Sequence, residues 1–325
     1  MESGDLRVFQ AVALEGTVTA AAAKLGYVQS NVTARIRQLE TDLGKPLFHR
    51  HNRGMTLTAD GKLLLDYAGR IVGLLDEAAK AVSSPEGPLG SLAIASTQSC
   101  AAVRLPKLLA GYHRQYPDVD LSLSTGHSAA VLEKVLRYEA DGGFLAGPWP
   151  EDVHAVPAFD EEIVLVSAAE HSETDALAGA PLLVFTDGCY YRSVLERWTK
   201  DRAWSQPRIM EFGTLEAIVG GVSAGLGISL LPLSVVAKAA AEGLLRVHSL
   251  PKPYNRIRTY FVIRKDAYVS GPLSLFLEEL AGTREAADGL ARELGGGSAK
   301  EPGQTHEVGQ DKAPRRGKRK GEITA

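Results

Sequence analysis

Gln29-Ser30-Asn31-Val32-Thr33-Ala34-Arg35-Ile36-Arg37-Gln38-Leu39-Glu40 is the stretch that decides how the rest of the chain is read. At about 3.6 residues per turn, Val32, Ile36, Leu39 and Leu43 fall on one stripe. Ser30, Ala34, Arg37 and Thr41 point the opposite way, with Thr33 on the flank. One face is built to be buried, and the other is small, hydroxylated and cationic. A major groove admits such a helix, because short side chains in its first turns reach base edges and its arginines reach phosphate or guanine. The candidate DNA contacts are Gln29, Ser30, Asn31, Thr33, Ala34 and Arg37. An ordinary surface helix that binds nothing shows the same pattern, so the flanking sequence has to separate the two.

Upstream, Val8-Phe9-Gln10-Ala11-Val12-Ala13 reads as a first helix and residues 17–25 as a second, whose alanine run permits close helix packing. Gly26 marks a short turn into the third helix, as a helix-turn-helix requires. Downstream, Pro46-Leu47-Phe48-His49-Arg50 and Met55-Thr56-Leu57-Thr58 flank a turn at 51–54, which predicts a short hairpin, or wing, carrying Arg50 and, near its tip, Arg53. Both arginines join the candidate DNA contacts.

Residues 6–61 resemble the winged helix-turn-helix of the LysR-type transcriptional regulators. The resemblance is carried by Phe9, by Ala20-Ala21-Ala22 with Leu25, by Thr33, Ile36, Arg37, Leu39, Glu40, Leu43, Gly44, Leu47, Phe48 and Arg50, and by Leu57, Thr58 and Gly61. One residue departs from it. Where such proteins commonly place Ser or Thr before the recognition helix, this chain has Val28, which has no side-chain oxygen to cap an N-terminus. Either the helix start shifts, or Ser30 or Asn31 supplies the cap.

At 325 residues the chain exceeds a single typical domain. Net charge is only −3, and residues 1–58 hold seven Lys and Arg against five acids, so charge alone does not point to nucleic acid and the argument rests on pattern. Two cysteines, Cys100 and Cys189, neither build a disulfide framework nor fit a zinc motif, and no metal or cofactor is expected. The N-terminus lacks a basic region followed by an apolar core, so the default expectation is a cytoplasmic protein. Residues 217–237 carry no formal charge over 21 positions, long enough to span a membrane. Gly220, Gly221, Gly225, Gly227 and Pro232 divide that run into a short helix, a turn, a buried strand and a second helix start, and no membrane partner is expected.

From Thr58, well placed as an N-cap, a long helix is predicted over 59–82. Leu64, Ala68, Ile71, Leu75, Ala78 and Val82 recur at alternating spacings of four and three, the seam of a coiled coil. The seam is short, so packing on its own domain stays open beside self-pairing. In the family resembled, this helix forms the dimer, implying a homodimer or homotetramer through Leu64, Ala68, Ile71 and Leu75. Residues 83–90 hold two prolines and two glycines and read as a hinge, placing a domain boundary between 1–58 with its linker 59–82 and a domain over 91–285.

Beyond the hinge, strands are predicted at 91–96, 119–125, 143–146, 163–167, 182–185, 208–211, 227–231, 244–247 and 259–263. Helices are predicted at 101–116, 129–138, 192–202, 214–224, 233–241 and 273–282. The alternation argues for an α/β architecture of two subdomains. This part also resembles the LysR effector-binding domain, with its periplasmic-binding-protein-like fold, through Leu105-Pro106, Tyr116-Pro117 and Gly225-Leu226-Gly227-Ile228 with Leu230-Leu231-Pro232. The resemblance implies one subdomain over about 89–160 that resumes after 264, the other lying between. The tail 286–325, Gly, Lys, Arg, Gln and Pro rich from 295 on, cannot bury a core and is expected to be disordered. Its basic cluster adds phosphate affinity or is simply solvated.

Ligands of open α/β sheets bind at the carboxyl ends of strands, where helix starts offer free amides. Three such places stand out. Ser96, Thr97 and Gln98 follow the first strand of the second domain, Gly213 and Thr214 open a later helix, and Cys189 and Arg192 open another, Arg192 able to hold a carboxylate. Converging, they would suit a small anionic effector. Plain helix capping, a buried thiol and a surface cation account for the same residue types. The reading is a ligand-responsive regulator binding double-stranded promoter DNA. A regulator whose second domain binds a protein partner stays open, as does an enzyme with Cys189 or Ser96 as nucleophile, although no Gly-x-Ser-x-Gly, His-Glu-x-x-His, phosphate-loop or Cys-x-x-Cys motif occurs.

Overall fold

The computed structural model describes residues 1–52, 54–83, 89–174, 177–204 and 207–294, with only the backbone for 83 and 283–294. The predicted wing-tip Arg53, most of the predicted hinge and the tail from 295 on lie outside the described residues. The chain opens with α1 (Ser3–Glu15), α2 (Val18–Leu25) and α3 (Gln29–Leu43), then the hairpin β1 (Phe48–His51) and β2 (Gly54–Leu57), then the long helix α4 (Ala59–Ser83). Thr17 caps α2 by accepting the Ala20 amide at 3.1 Å. Val32, Ile36 and Leu39 of α3 are fully buried against Leu6, Phe9 and Val12 of α1 and Ala21 of α2. Each such side chain contributes about 1.5–3 kcal/mol on burial. Leu43, assigned to the same stripe, is instead exposed, because the last turn of α3 runs past this core.

The helix-start ambiguity also resolves. α3 begins at Gln29 with Val28 in the cap position and no side-chain cap bond, and neither Ser30 nor Asn31 substitutes. The Asn31 side chain accepts from Arg35 Nε instead, at 3.1 Å. Thr58 does cap α4, its hydroxyl accepting the Gly61 amide at 3.0 Å.

The seam assigned to α4 needs correction at its first half. Ala68 is buried in the N-terminal core beside Val72, and Leu64 packs on the same core, so these two face their own domain. α4 lies along α1, whose apolar side is the nearer partner, and periodicity alone does not say which neighbour a stripe faces. Leu63, Tyr67, Ile71, Leu74, Leu75 and, near its C-terminal end, Val82 are the large apolar residues of α4 left exposed.

The remaining elements are β3 (Gly90–Thr97), α5 (Gln98–Val103), α6 (Leu105–Gln115), β4 (Val119–Gly126), α7 (Ser128–Leu136), β5 (Gly142–Leu145), β6 (Val153–Ala168), β7 (Leu182–Val184), α8 (Tyr190–Asp201), β8 (Ile209–Glu211), α9 (Leu215–Ser223), β9 (Ser229–Pro232), α10 (Leu233–Ala241), β10 (Leu245–Ser249), β11 (Arg256–Arg264) and α11 (Gly271–Leu294). One mixed sheet runs β10-β6-β11-β5-β3-β4, with β9 also on β6, and β7 and β8 form a parallel pair. β6 belongs to two lobes. Its first half pairs antiparallel with β11, from Val153↔Arg264 to Glu162↔Arg256, and its second half pairs with β9 and β10.

Subdomain I therefore consists of β3, β4, β5, the first half of β6, β11 and the helices α5, α6, α7 and α11; subdomain II is the stretch between about 163 and 255. The expected boundaries at 160 and 264 move, because β11 lies inside subdomain I between β6 and β5 and the chain returns before it. The helix expected over 101–116 is two helices broken at Arg104, with Pro106 in the first turn of the second. Proline lacks the amide that an unbroken helix would need there. Residues 217–237 form parts of α9, β9 and α10, and among the described residues no helix is long and apolar enough to cross a membrane.

Candidate functional site

The outward face of α3 carries Gln29, Ser30, Asn31, Ala34 and Arg37, all exposed, with Thr33 half-buried at its edge. Burial of Val32, Ile36 and Leu39 fixes which way these residues point. A partly buried ion pair, Arg35 to Asp5 at 2.9 Å, ties α3 to α1. Glu40 ties it to the hairpin, its carboxylate accepting the Leu47 amide at 2.9 Å and the Arg50 guanidinium at 2.8 Å. Arg50 is thus anchored to α3 and still exposed, whereas Arg37 enters no ion pair among the described residues.

In the second domain, a narrow cleft with room for only about one or two water molecules lies between the two subdomains and is lined by Thr97, Gln98, Ser99, His127, Ser128, Phe185, Cys189, Tyr190 and Tyr191, with Gly126 and Ala146 completing the wall. The starts of α5, α7 and α8 meet there. Among the described residues, no Asp, Glu, Lys or Arg lines it. His127 Nδ1 accepts the Ala130 amide at 3.2 Å, which places the ring proton of the neutral form on Nε2. Burial pushes the Cys189 thiol pKa up, against a smaller opposite pull from the backbone amides of Arg192 and Tyr191. Burial raises Tyr191 as well, and the Ser99 hydroxyl donates to its phenol oxygen at 3.2 Å.

Several bonds cross the cleft. Gln98 spans from subdomain I to the start of α9, donating to the Gly213 carbonyl at 3.0 Å and accepting the Leu215 amide at 3.0 Å. Ser99 to Tyr191 is a second tie, and the Ala129 amide to the Gly188 carbonyl, at 3.2 Å, is a third. Gly188 sits at φ +88°, and a Cβ there would lie 2.8 Å from His127 Nδ1, so the loop carrying Cys189 approaches α7 as closely as a backbone can.

Of the residues assigned to effector binding, Thr97, Gln98 and Cys189 come together in this cleft. The other four do not line it. Ser96 is fully buried beneath it and its hydroxyl donates to the Thr97 carbonyl at 3.1 Å. Gly213 and Thr214 stay exposed to one side, the Gly213 carbonyl being bonded to Gln98, and Thr214 caps its own helix through the Ala217 amide. Arg192 is the main correction. Its guanidinium donates to Glu196 at 2.9 Å and to Glu211 at 2.6 Å, so two carboxylates of the chain already occupy the proposed clamp. It lines a neighbouring opening instead.

His127, Ser128 and Phe185 escaped the sequence reading, while Ser99, Tyr190 and Tyr191 lie in the helix-start stretches 96–99 and 187–192 that it pointed to but were not chosen as contacts. His127 and Ser128 were within its reach: they follow β4 and open α7, the same strand-end and helix-start position that selected Thr97. Away from this cleft, burial pushes the Cys100 thiol up to about 12, and the buried pair Ser167 and His248, 2.8 Å apart, joins β6 to β10 inside the fold.

A family model described as "LysR substrate binding domain" matches residues 85–284, and another, "Bacterial regulatory helix-turn-helix protein, lysR family", matches residues 3–62. The uncharacterized HTH-type transcriptional regulator YusT of Bacillus subtilis (strain 168) is 56% identical over 287 residues, covering 88% of this chain and 97% of its own. The HTH-type transcriptional regulator SoxR of Arthrobacter sp. (strain TE1826) is 41% identical over 288 residues, covering 88% and 99%. Full-length CbnR complexed with its target DNA has a TM-score of 0.60 at 24% identity, over 87% of this chain and 100% of that one. A full-length OxyR variant from Pseudomonas aeruginosa has a TM-score of 0.61 at 24% identity, over 87% and 94%. The curled mixed sheet and its two lobes agree with the periplasmic-binding-protein-like fold.

Proposed function

The chain belongs to the LysR family of transcriptional regulators, and from that premise we propose that α3 enters the major groove of promoter DNA while the cleft between subdomains takes a small-molecule effector. The observation that carries the first half is the orientation of α3: three core side chains on one face leave Gln29, Ser30, Ala34 and Arg37 on the other, beside the hairpin. Short side chains at the helix start suit base edges, and Arg37, with no competing carboxylate, suits guanine or phosphate. Arg50, and by its place in the sequence Arg53, suit phosphate on the flank.

The cleft offers hydroxyls from Thr97 and Ser128, an imidazole and three aromatic rings around a free space of only about one or two water molecules, so a ligand enters as the two subdomains part. That favours a small polar molecule held by hydroxyls and amides, without the guanidinium clamp expected from sequence. A protein partner in place of a metabolite is the reading that a cleft filled by side chains favours, and the narrowness of this one keeps it as the second reading. A non-enzymatic role fits the raised thiol of Cys189 and the capture of the Ser96 hydroxyl by a carbonyl. We also read the exposed stripe of Leu63, Tyr67, Ile71, Leu74 and Leu75 on α4 as the surface that joins two copies, which would present two recognition helices to two half-sites. The division into a DNA-binding unit over 1–58, the linker α4, a hinge and an effector domain follows the same reading.

The test is a selection of bound duplexes from a random pool with the full-length protein, followed by gel shift of variants. Ser30→Ala and Arg37→Ala are expected to weaken the selected operator with the fold intact; unchanged affinity in both would remove α3 from the interface.

A further inference from the structure

Arg264, at the end of β11, is buried, with its side chain only 7% exposed. Its guanidinium donates to Glu77 of α4 at 2.7 Å, to the Val135 carbonyl of α7 at 3.1 Å and to Asp266 at 3.2 Å, and lies 3.4 Å over the ring of Tyr138. Glu77 also accepts the Tyr268 amide at 2.7 Å. On either side of this centre, Asp66 of α4 pairs with Arg137 and Lys80 of α4 pairs with Asp141 at 3.2 Å. From Asp66 to Lys80 the attachment runs along about 20 Å of helix. Between these pairs α4 presents Gly69 and Gly73, and a Cβ on Gly73 would fall 2.1 Å from the Tyr138 Cβ, so only glycine permits this approach. Tyr138 itself is held at φ +63°, a conformation a bulky residue adopts only when its surroundings enforce it.

All of these partners sit on subdomain I. We propose that they form a joint fixing the DNA-binding arm to subdomain I, with Arg264 as its positioning residue. Closure of the cleft then moves subdomain II, and leaves the arm and subdomain I together as one body. α7 belongs to both places: its first turn touches the Gly188 loop across the cleft, its Val135 carbonyl accepts from Arg264, and Arg137 and Tyr138, which follow its last turn, meet α4. The joint is a property of this chain's packing, and it stands whatever molecule the cleft binds.

Disulfide trapping in the full-length chain tests it. An ideal Cβ on Gly69 lies 3.6 Å from the Arg137 Cβ, within the separation of about 3.5–4.5 Å that a disulfide needs. Gly69→Cys with Arg137→Cys is expected to form an intrachain link under mild oxidation, identified by peptide mass in mixed light and heavy isotope chains; the native cysteines are buried and do not compete. The oxidised protein is expected to protect the same footprint on a selected operator as the reduced one. Arg264→Gln should raise amide exchange over 66–80 and at Tyr268 by roughly tenfold or more, the loss of charged hydrogen bonds being felt along the joint. Adding the disulfide to Arg264→Gln should restore protection over 66–80, which repair of a general folding defect would not do. No link, a link only between chains, loss of operator binding on oxidation, or unchanged exchange in Arg264→Gln would each overturn the joint.

Discussion

Two arginines, Arg37 on α3 and Arg192 on α8, carry the same expectation from sequence: a cation on an amphipathic helix, offered to a ligand. The structure separates them. Arg37 stands on an exposed face with no ion pair among the described residues, while Arg192 is folded back on Glu196 and Glu211. Glu196, at four residues' distance on the same helix, was visible in the pattern. Glu211 was not, since it arrives on β8, a strand that pairs with β7 to reach the site. A cation is free for a ligand only when no other part of the fold reaches it, and that is a long-range property.

The largest effect that bears on this contrast concerns assembly on DNA. Leu74→Glu or Tyr67→Glu puts a charge into the exposed stripe of α4 and should shift the protein to monomers with loss of operator binding, whereas Ala68→Glu, aimed at the buried core of the same helix, should unfold the N-terminal domain. Sedimentation and thermal unfolding distinguish the two; a retained oligomer in both stripe variants would refute the exposed stripe. Next in size, Val28→Thr supplies the missing cap of α3 and should stabilise the N-terminal domain by about 1 kcal/mol in a denaturant titration. No gain would show that the helix start is satisfied in another way.

A smaller effect is expected at Arg192. Its partners are about half exposed, and pairs of that kind contribute roughly 0.2–1 kcal/mol, so Arg192→Ala should cost stability of that order and leave any ligand affinity of the cleft unchanged. Smaller still is a pH dependence from His248. Burial, then Arg246 and His171, lowers its pKa below the ordinary 6.5. Above 6.5 the ring is neutral in folded and unfolded chains alike. As pH falls below that value the unfolded chain takes up a proton that the folded one refuses, so stability declines with acidification until the folded pKa is reached. His248→Gln should flatten the slope of stability between pH 7 and 5; an unchanged slope would assign it elsewhere.

Much of the architecture was legible because it rests on local chemistry. Apolar runs located the strands β3, β4, β7 and β9, and turn residues such as Gly26 and Gly44 bounded the helices of the N-terminal domain. What escaped depends on partners distant in sequence. The inward turn of Ala68 is decided by α1, the lobe boundary by the place of β11 between β6 and β5, and the bonding of the Gly213 carbonyl by Gln98, more than a hundred residues away in sequence. His127 and Ser128 are different: the rule that selected Thr97 applied to them equally, and they were simply not picked out.

The contrast between the two arginines is tested most directly by the salt dependence of operator affinity for the wild type, Arg37→Ala and Arg192→Ala, measured on one selected duplex. If Arg37 reaches DNA and Arg192 is structural, Arg37→Ala weakens binding by roughly ten- to a hundredfold, with a shallower salt slope if its contact is to phosphate and relaxed preference at one base pair if it is to guanine. Arg192→Ala should keep both affinity and slope. Equal affinities and slopes for Arg37→Ala and wild type would contradict the account.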